Sequence, residues 1–92
     1  MGAIDMEFEG VLERSPAKGG WTFVRTDWTA DHFGTRGRIP VSGSIDGVPF
    51  AGTFMALGDG THKLPVTAAI RSTIGKEAGD RVVVHLTERR AT

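Results

Sequence analysis

The stretch "GRIPVSGSIDGVPFAGTFMAL", residues 37–57, decides the predicted fold because it has the pattern of a β-hairpin. Apolar residues alternate with small or polar ones on both sides of Asp46-Gly47. Asp-Gly is typical of a two-residue hairpin turn, since glycine tolerates the positive φ that a type I′ turn requires. We therefore predict two antiparallel strands that are joined at this dipeptide.

Glycines and prolines inside this hairpin indicate whether its sheet is flat or closed into a barrel. Counting outward from the turn makes Gly43 and Gly52 near neighbours across the hairpin. Glycines inside strands usually mark a bulge, a bend or a close backbone approach, which a small barrel needs and a flat sheet does not. Pro40 and Pro49 lack an N–H group, so we expect them at strand ends or on an edge.

Alternating segments elsewhere in the chain predict further strands. Residues 4–14 have a period of two, with an acidic outer row and an apolar face made of Ile4, Met6, Phe8 and Leu12. The acidic row consists of Asp5, Glu7, Glu9 and Glu13. Residues 21–26 place Trp21 and Phe23 on one side of a strand, and residues 81–89 predict the last strand, with Val82, Val84 and Leu86 on one face.

Two short segments have helical patterns. Residues 28–34 predict one or two turns, which Thr29 or Asp27 would cap and Gly34 would end. Residues 66–75 predict a second helix with Thr67 as its N-cap and Gly75 at its C-terminal end.

The complete pattern is β-dominated. It predicts an all-β class protein, a small six-stranded barrel with one or two short helices. A chain of 92 residues is expected to form a single domain over residues 1–92.

Composition narrows the functional classes. Lys+Arg and Asp+Glu are balanced at 11 each, which disfavours nucleic acid as a partner. The chain contains 0 cysteines, so disulfides, thiolate metal sites and cysteine nucleophiles are excluded. The N-terminus lacks the pattern of a signal peptide, and no apolar run is long enough to span a membrane. We therefore expect a soluble, cytoplasmic protein with no membrane partner.

Three segments together resemble a widespread bacterial family of unknown function that is often labelled YdeI/OmpD-associated. They are "GRIPVSGSIDGVPF" (37–50), "LGDGTHKLPVTAAIRSTIG" (57–75) and "GDRVVVHL" (79–86), and the aromatic strand "GWTFV" (20–24) fits the same family. The resemblance covers nearly the whole chain. It implies a small double-split β-barrel, similar in architecture to AbrB- and MazE-like domains. It implies no particular activity.

The segment "GDGTHKLPV", residues 58–66, contains the candidate catalytic residues. A carboxylate such as Asp59 next to an imidazole such as His62 is able to orient it as a general base. The alternative is a glycine-flanked turn in which Asp59 bonds its own backbone and His62 begins a strand. The turn is favoured, because turn chemistry accounts for every residue type present and no nucleophile is indicated.

Metal and cofactor binding is not predicted. The histidines, His32, His62 and His85, lie on three different predicted elements and have no metal-ligand spacing. We therefore assign no metal ligands and no cofactor.

Aromatic residues suggest a small-molecule pocket. Trp21, Trp28, His32 and Phe33 lie where the first helix leaves the second strand, and tryptophan at a barrel mouth is suited to covering an apolar ligand. The alternative is that Trp21 and Phe33 are core residues that close one barrel end. A pocket is then expected between barrel and helices, or at a dimer interface.

Arginines are the remaining binding candidates. Arg36 and Arg38 share a face and have the spacing to clamp a carboxylate or phosphate, but pairing with the acidic row of the first strand is favoured. Arg71 lies in a helix motif where the family resemblance places an arginine. We expect it to reach a carboxylate or turn carbonyls near Asp59.

The functional hypotheses are ranked from these features. The first is a non-enzymatic binding or interaction module that forms a homo-oligomer, such as a homodimer. The alternative is a small-molecule-binding protein or enzyme with a modest pocket near Trp21, Trp28, His62 and Arg71. The third is an AbrB-like nucleic-acid binder, which rests on architecture alone.

Overall fold

Six strands and two short helices form the part of the chain that the computed structural model describes, residues 2–16 and 20–90. The strands are β1 (Gly2–Arg14), β2 (Thr22–Thr26), β3 (Ile39–Ile45), β4 (Val48–Ala56), β5 (His62–Pro65) and β6 (Arg81–Arg89). The helices are α1 (Thr29–Phe33) and α2 (Ala68–Ile74). Neither of these helices is long and apolar enough to cross a membrane.

The strands close into an antiparallel barrel in the order β1-β2-β5-β4-β3-β6. This confirms the predicted β-dominated, six-stranded barrel with two short helices. Two ladders that close the barrel are short. β1 pairs with β6 up to Val11 and with β2 only from Leu12 to Arg14. In the same way β4 pairs with β3 along most of its length and with β5 only at Met55 and Ala56.

The β3–β4 hairpin is formed as predicted. Asp46 and Gly47 have φ values of 47° and 82°, as a type I′ turn requires. Pairing runs without a break from Ile45↔Val48 to Ile39↔Phe54. Pro49 lies in the part of β4 that pairs with β3 alone. Its missing N–H group therefore removes no hydrogen bond to β5.

Gly43 marks a point of close backbone approach between β3 and β6. The β3–β6 register shifts between Ser42 and Gly43. A Cβ atom at Gly43 would lie 1.9 Å from the carbonyl oxygen of His85, so no side chain fits there. The predicted bulge or close approach at Gly43 is therefore confirmed. At Gly52 the added atom would meet side chains of Phe50 and Leu64 at 3.3 and 3.4 Å, a far milder conflict.

Side chains from every strand fill the barrel interior. None of the residues in this core is more than 9% exposed. The predicted inward face of β6 is confirmed, because Val82, Val84 and Leu86 are all buried. The core is Leu12, Val24, Ile39, Val41, Ile45, Phe50, Phe54, Leu64, Val66, Val82, Val84 and Leu86.

The helix ends confirm most of the predicted caps. Thr67 accepts a hydrogen bond from the backbone N–H of Ile70 at 3.3 Å, and Gly75 ends α2 in the left-handed conformation. Gly34 ends α1 in the same way. The predicted N-cap of α1 is wrong. Trp28 occupies that position without a side-chain hydrogen bond, because the hydroxyl of Thr29 is engaged in the interior.

Asp46 joins the hairpin turn to the start of β6. Its Oδ1 accepts from the backbone N–H of Val83 at 2.7 Å, and its Oδ2 lies 2.7 Å from the ammonium of Lys76. The hydrogen bond from Lys76, followed by that from Val83, lowers the pKa of Asp46 from its ordinary value. The carboxylate thus holds together the β3–β4 turn, β6 and the segment after α2.

We expect Gly43→Ala to destabilise the barrel by about 2 kcal/mol or more, since the new methyl group forces the β3 and β6 backbones apart. Gly52→Ala is the matched control and should cost clearly less, because only side chains need to move. Urea denaturation of both variants measures the difference. Equal losses would show that the approach at Gly43 is not a constraint.

Acid should weaken the Asp46 corner. The pKa of Asp46 is lowered in the folded state, so its stabilisation is complete above the unfolded value of about 3.9 and is lost as pH falls through the lower folded value. In Asp46→Asn the free energy of unfolding should therefore fall less steeply below about pH 4 than in the parent protein. The control is Asp31→Asn on α1, which removes one carboxylate where the structure shows no side-chain bond to a described residue. A parallel profile for Asp46→Asn would contradict the expectation.

Candidate functional site

His62 lies in the barrel wall and is completely buried. Its Nε2 is 2.8 Å from the carbonyl oxygen of Gly37, and its Nδ1 is 2.7 Å from Oγ1 of Thr29. Because a carbonyl only accepts, Nε2 carries the proton and donates it. The Thr29 hydroxyl then donates to Nδ1 and accepts from the Thr26 hydroxyl, 2.8 Å away.

This network makes His62 a structural residue. It connects β5 with β2, with α1 and with the loop that leads into β3. Both ring nitrogens are occupied by protein groups, so neither is available to take a proton from a substrate. The ring has no access to solvent.

Asp59 stands apart from His62, so the geometry of a catalytic dyad is absent. Its carboxylate accepts from the backbone N–H of Thr61 at 3.0 Å and from the hydroxyl of the same residue. Those bonds, the one from the hydroxyl first, lower the pKa of Asp59. Gly58 and Gly60 flank it with positive φ values of 85° and 91°. The segment is the glycine-flanked turn that was the favoured interpretation, and His62 begins β5.

A groove lies on the outside of the barrel where β1 ends and α2 begins. Its volume is about 440 Å³. It brings together residues from four elements and their connections, among them Arg14, Trp21, Thr22, Val66, Thr67 and Arg71. Trp21 and Arg71, both predicted as binding residues, thus line the same groove.

Trp21 supplies the aromatic surface of the described groove lining, and 50% of its own surface is exposed to solvent. The interpretation of Trp21 as a core residue is therefore wrong. It shares the outward face of its strand with Phe23, as predicted, and the Lys63 ammonium lies 5.2 Å from the Trp21 ring and 5.6 Å from the Phe23 ring. Phe23 itself is only 6% exposed.

Arg71 is fixed in the groove wall by two bonds. Its Nη1 donates to the carbonyl oxygen of Val66 at 2.6 Å, and its Nε donates to Glu77 at 3.0 Å. A carboxylate and a carbonyl were expected, but near Asp59. That location is wrong, because the side chain turns toward the segment after α2 and the end of β5.

The other predicted aromatic residues form a separate row along α1. Trp28 packs edge-on against Phe8 and His32, with ring centroids 5.0 and 5.8 Å apart. His32 contacts Phe33, which packs against the core as the alternative interpretation expected. Trp28 lines a different depression, together with Glu9, Glu13 and Asp27 among others. The predicted pocket residues are therefore divided between two sites.

Arg36 and Arg38 are exposed in the loop between α1 and β3. Their predicted pairing with the acidic row is wrong, because three of those acids have other partners: Asp5 contacts His85 at 2.7 Å, Glu9 contacts Arg81 at 3.7 Å and Glu13 contacts Arg25 at 3.4 Å. Neither Arg36 nor Arg38 has a hydrogen bond or ion pair with a described residue.

Arg14 is the groove residue that the sequence interpretation missed. It is exposed at the end of β1, where it pairs across the ladder with Thr22. Counting outward from the turn between the first two strands would have placed it beside Trp21. As for metals, no three His, Asp or Glu side chains within residues 2–16 and 20–90 are grouped so that they could hold an ion.

A comparison with known protein families identifies the family of this chain. The family described as Domain of unknown function (DUF1905) matches residues 8–86. The chain belongs to this family. The matched range runs from β1 into β6 and so includes the groove. No curated protein matches the chain. The family description names no activity, and the YdeI/OmpD-associated label stays an expectation from resemblance.

Thr29→Val should destabilise the protein by about 1–3 kcal/mol, because Nδ1 of the buried His62 loses its donor. Thr73→Val is the control: the Thr73 hydroxyl bonds the Ala69 carbonyl at an exposed site on α2, and its loss should cost no more than about 0.5 kcal/mol. Urea denaturation measures both. Similar small losses would show that the His62 network contributes little.

Proposed function

We propose that this protein is a non-enzymatic binding module whose ligand lies in the groove lined by Arg14, Trp21 and Arg71. The observation that carries the proposal is the half-exposed Trp21 ring in the wall of a groove. Aromatic side chains bury a large apolar area on contact, and they are common in the lining of small-molecule sites. Tryptophan and arginine, with tyrosine, are also the residues enriched at the hot spots of protein–protein interfaces.

The size and the surroundings of the groove support a small ligand. Its volume of about 440 Å³ falls within the range of roughly 300–1,000 Å³ that is usual for small-molecule sites. The barrel interior is filled by its own side chains, so a ligand is expected outside the barrel. The groove lies between the barrel and α2, where one was expected.

The alternative of an enzyme is less well supported. His62 is buried with both nitrogens bonded, and Asp59 is bonded to its own turn. No described histidine or carboxylate lines the groove, so it lacks the usual general base. Recognition without chemistry is the function that this lining favours.

Nuclear magnetic resonance with a mixture of small fragments tests the proposal. Fragments that bind should shift the indole N–H signal of Trp21 and the backbone amides of Thr22 and Val66. Trp21→Ala should remove the remaining shifts around the groove, whereas Trp28→Phe, a change in the separate aromatic row, should leave them intact. Absence of shifts at the groove, or shifts confined to the Trp28 side, would refute the proposal.

A further inference from the structure

We infer that the ligand of this groove is a planar ring system that carries a carboxylate or a phosphate. The inference rests on the proposed function and specifies the chemistry of the same site. It depends on three features: the charge of the lining, the orientation of Arg71 and the exposed ring of Trp21.

The described residues that line the groove carry two guanidinium groups, and of these only that of Arg71 has an acidic partner, Glu77. The lining includes Arg14 and Arg71, and no acidic side chain of the residues that the structure describes. The Arg14 guanidinium is exposed and has no hydrogen bond or ion pair with a described residue. In contrast, Arg25 and Arg81 elsewhere on the barrel are paired with glutamates. An unpaired guanidinium in a groove is suited to bind a carboxylate or phosphate, with which it forms charge-assisted hydrogen bonds.

Arg71 also lines the groove, and hydrogen bonds fix the position of its partly buried guanidinium. Its bonds to Val66 and Glu77 use Nη1 and Nε, and its Nη2 has no partner among the described residues. The side chain is 18% exposed and held by two bonds, so its remaining N–H donors are oriented rather than free to rotate in solvent. Less side-chain entropy is therefore lost when an anion binds to it.

The Trp21 ring supplies the apolar half of the site. The Lys63 ammonium lies 5.2 Å from the centroid of this ring, and Lys63 is not one of the residues that line the groove. The part of the indole that faces the groove is open to a flat partner, and aromatic pairs in offset or edge-to-face arrangements gain about 0.5–1.5 kcal/mol beyond burial. A ring against Trp21 places an attached anion within the reach of the two arginines.

Four naphthalene compounds that differ only in the attached group test the inference. They carry a carboxylate (2-naphthoate), a phosphate (2-naphthyl phosphate), a neutral alcohol (2-naphthylmethanol) or an ammonium (2-naphthylmethylammonium). Titrations followed at the Trp21 indole N–H should show at least one anion binding about tenfold more tightly than the alcohol. The ammonium compound should bind most weakly. The ratio of the two anions shows whether a carboxylic acid or a phosphate ester is the natural source.

Matched arginine variants separate charge from fold. Arg14→Gln should weaken binding of the favoured anion about tenfold and leave the alcohol unchanged. Arg38→Gln is the control, since Arg38 is equally exposed and unbonded but lies in the loop before β3. It should leave all four affinities unchanged.

The outcomes distinguish this inference from the proposed function. Equal binding of all four compounds at the groove, or preference for the ammonium, would overturn the anion specificity and leave the binding function standing. Binding of neutral fragments but of neither anion would do the same. No response at the groove to any compound or fragment would overturn both.

Discussion

The hydrogen bonds of the buried His62 are the constraint on which the arrangement of one side of the barrel depends. β5 pairs with β2 along its whole length but joins β4 through only two residue pairs, so the β4–β5 ladder alone provides little closure. The imidazole adds a connection in each direction, to Thr29 at the start of α1 and to Gly37 before β3. Since an unpaired buried polar group costs about 1–3 kcal/mol, the network specifies one arrangement of these elements and penalises others.

The short ladders also decide where the groove lies. β1 leaves β6 and joins β2 at Leu12, which places the end of β1 beside the start of β2 and the end of β5. α2 follows β5 after two residues and begins near the same point. The groove is the space between these ends. It exists because the chain changes partners there, and not because the core is incomplete.

Much of the fold was predictable because it depends on local rules. The Asp46-Gly47 turn and the ends of α2 follow from residues a few positions apart, and Gly43 follows from counting along one hairpin. The partners of individual polar side chains were not predictable in this way. Thr29 was predicted as a helix N-cap, but its hydroxyl bonds a histidine 33 residues away. Arg71 bonds Glu77 and not the turn at Asp59. Such choices depend on register and on barrel closure, which no local pattern encodes.

A net charge of zero does not show how the charges are distributed, and their distribution bears on the proposed binding site. The acids of β1 are largely satisfied by Arg25, Arg81 and His85 on neighbouring strands. Arg14, at the end of the same strand, has no such partner among the described residues. The balanced composition argued against a polyanion, because long-range attraction scales with the overall field. Recognition of a single carboxylate or phosphate needs only two or three local donors. A neutral protein is therefore well suited to bind one small anion selectively, since its field does not attract other anions to the rest of its surface.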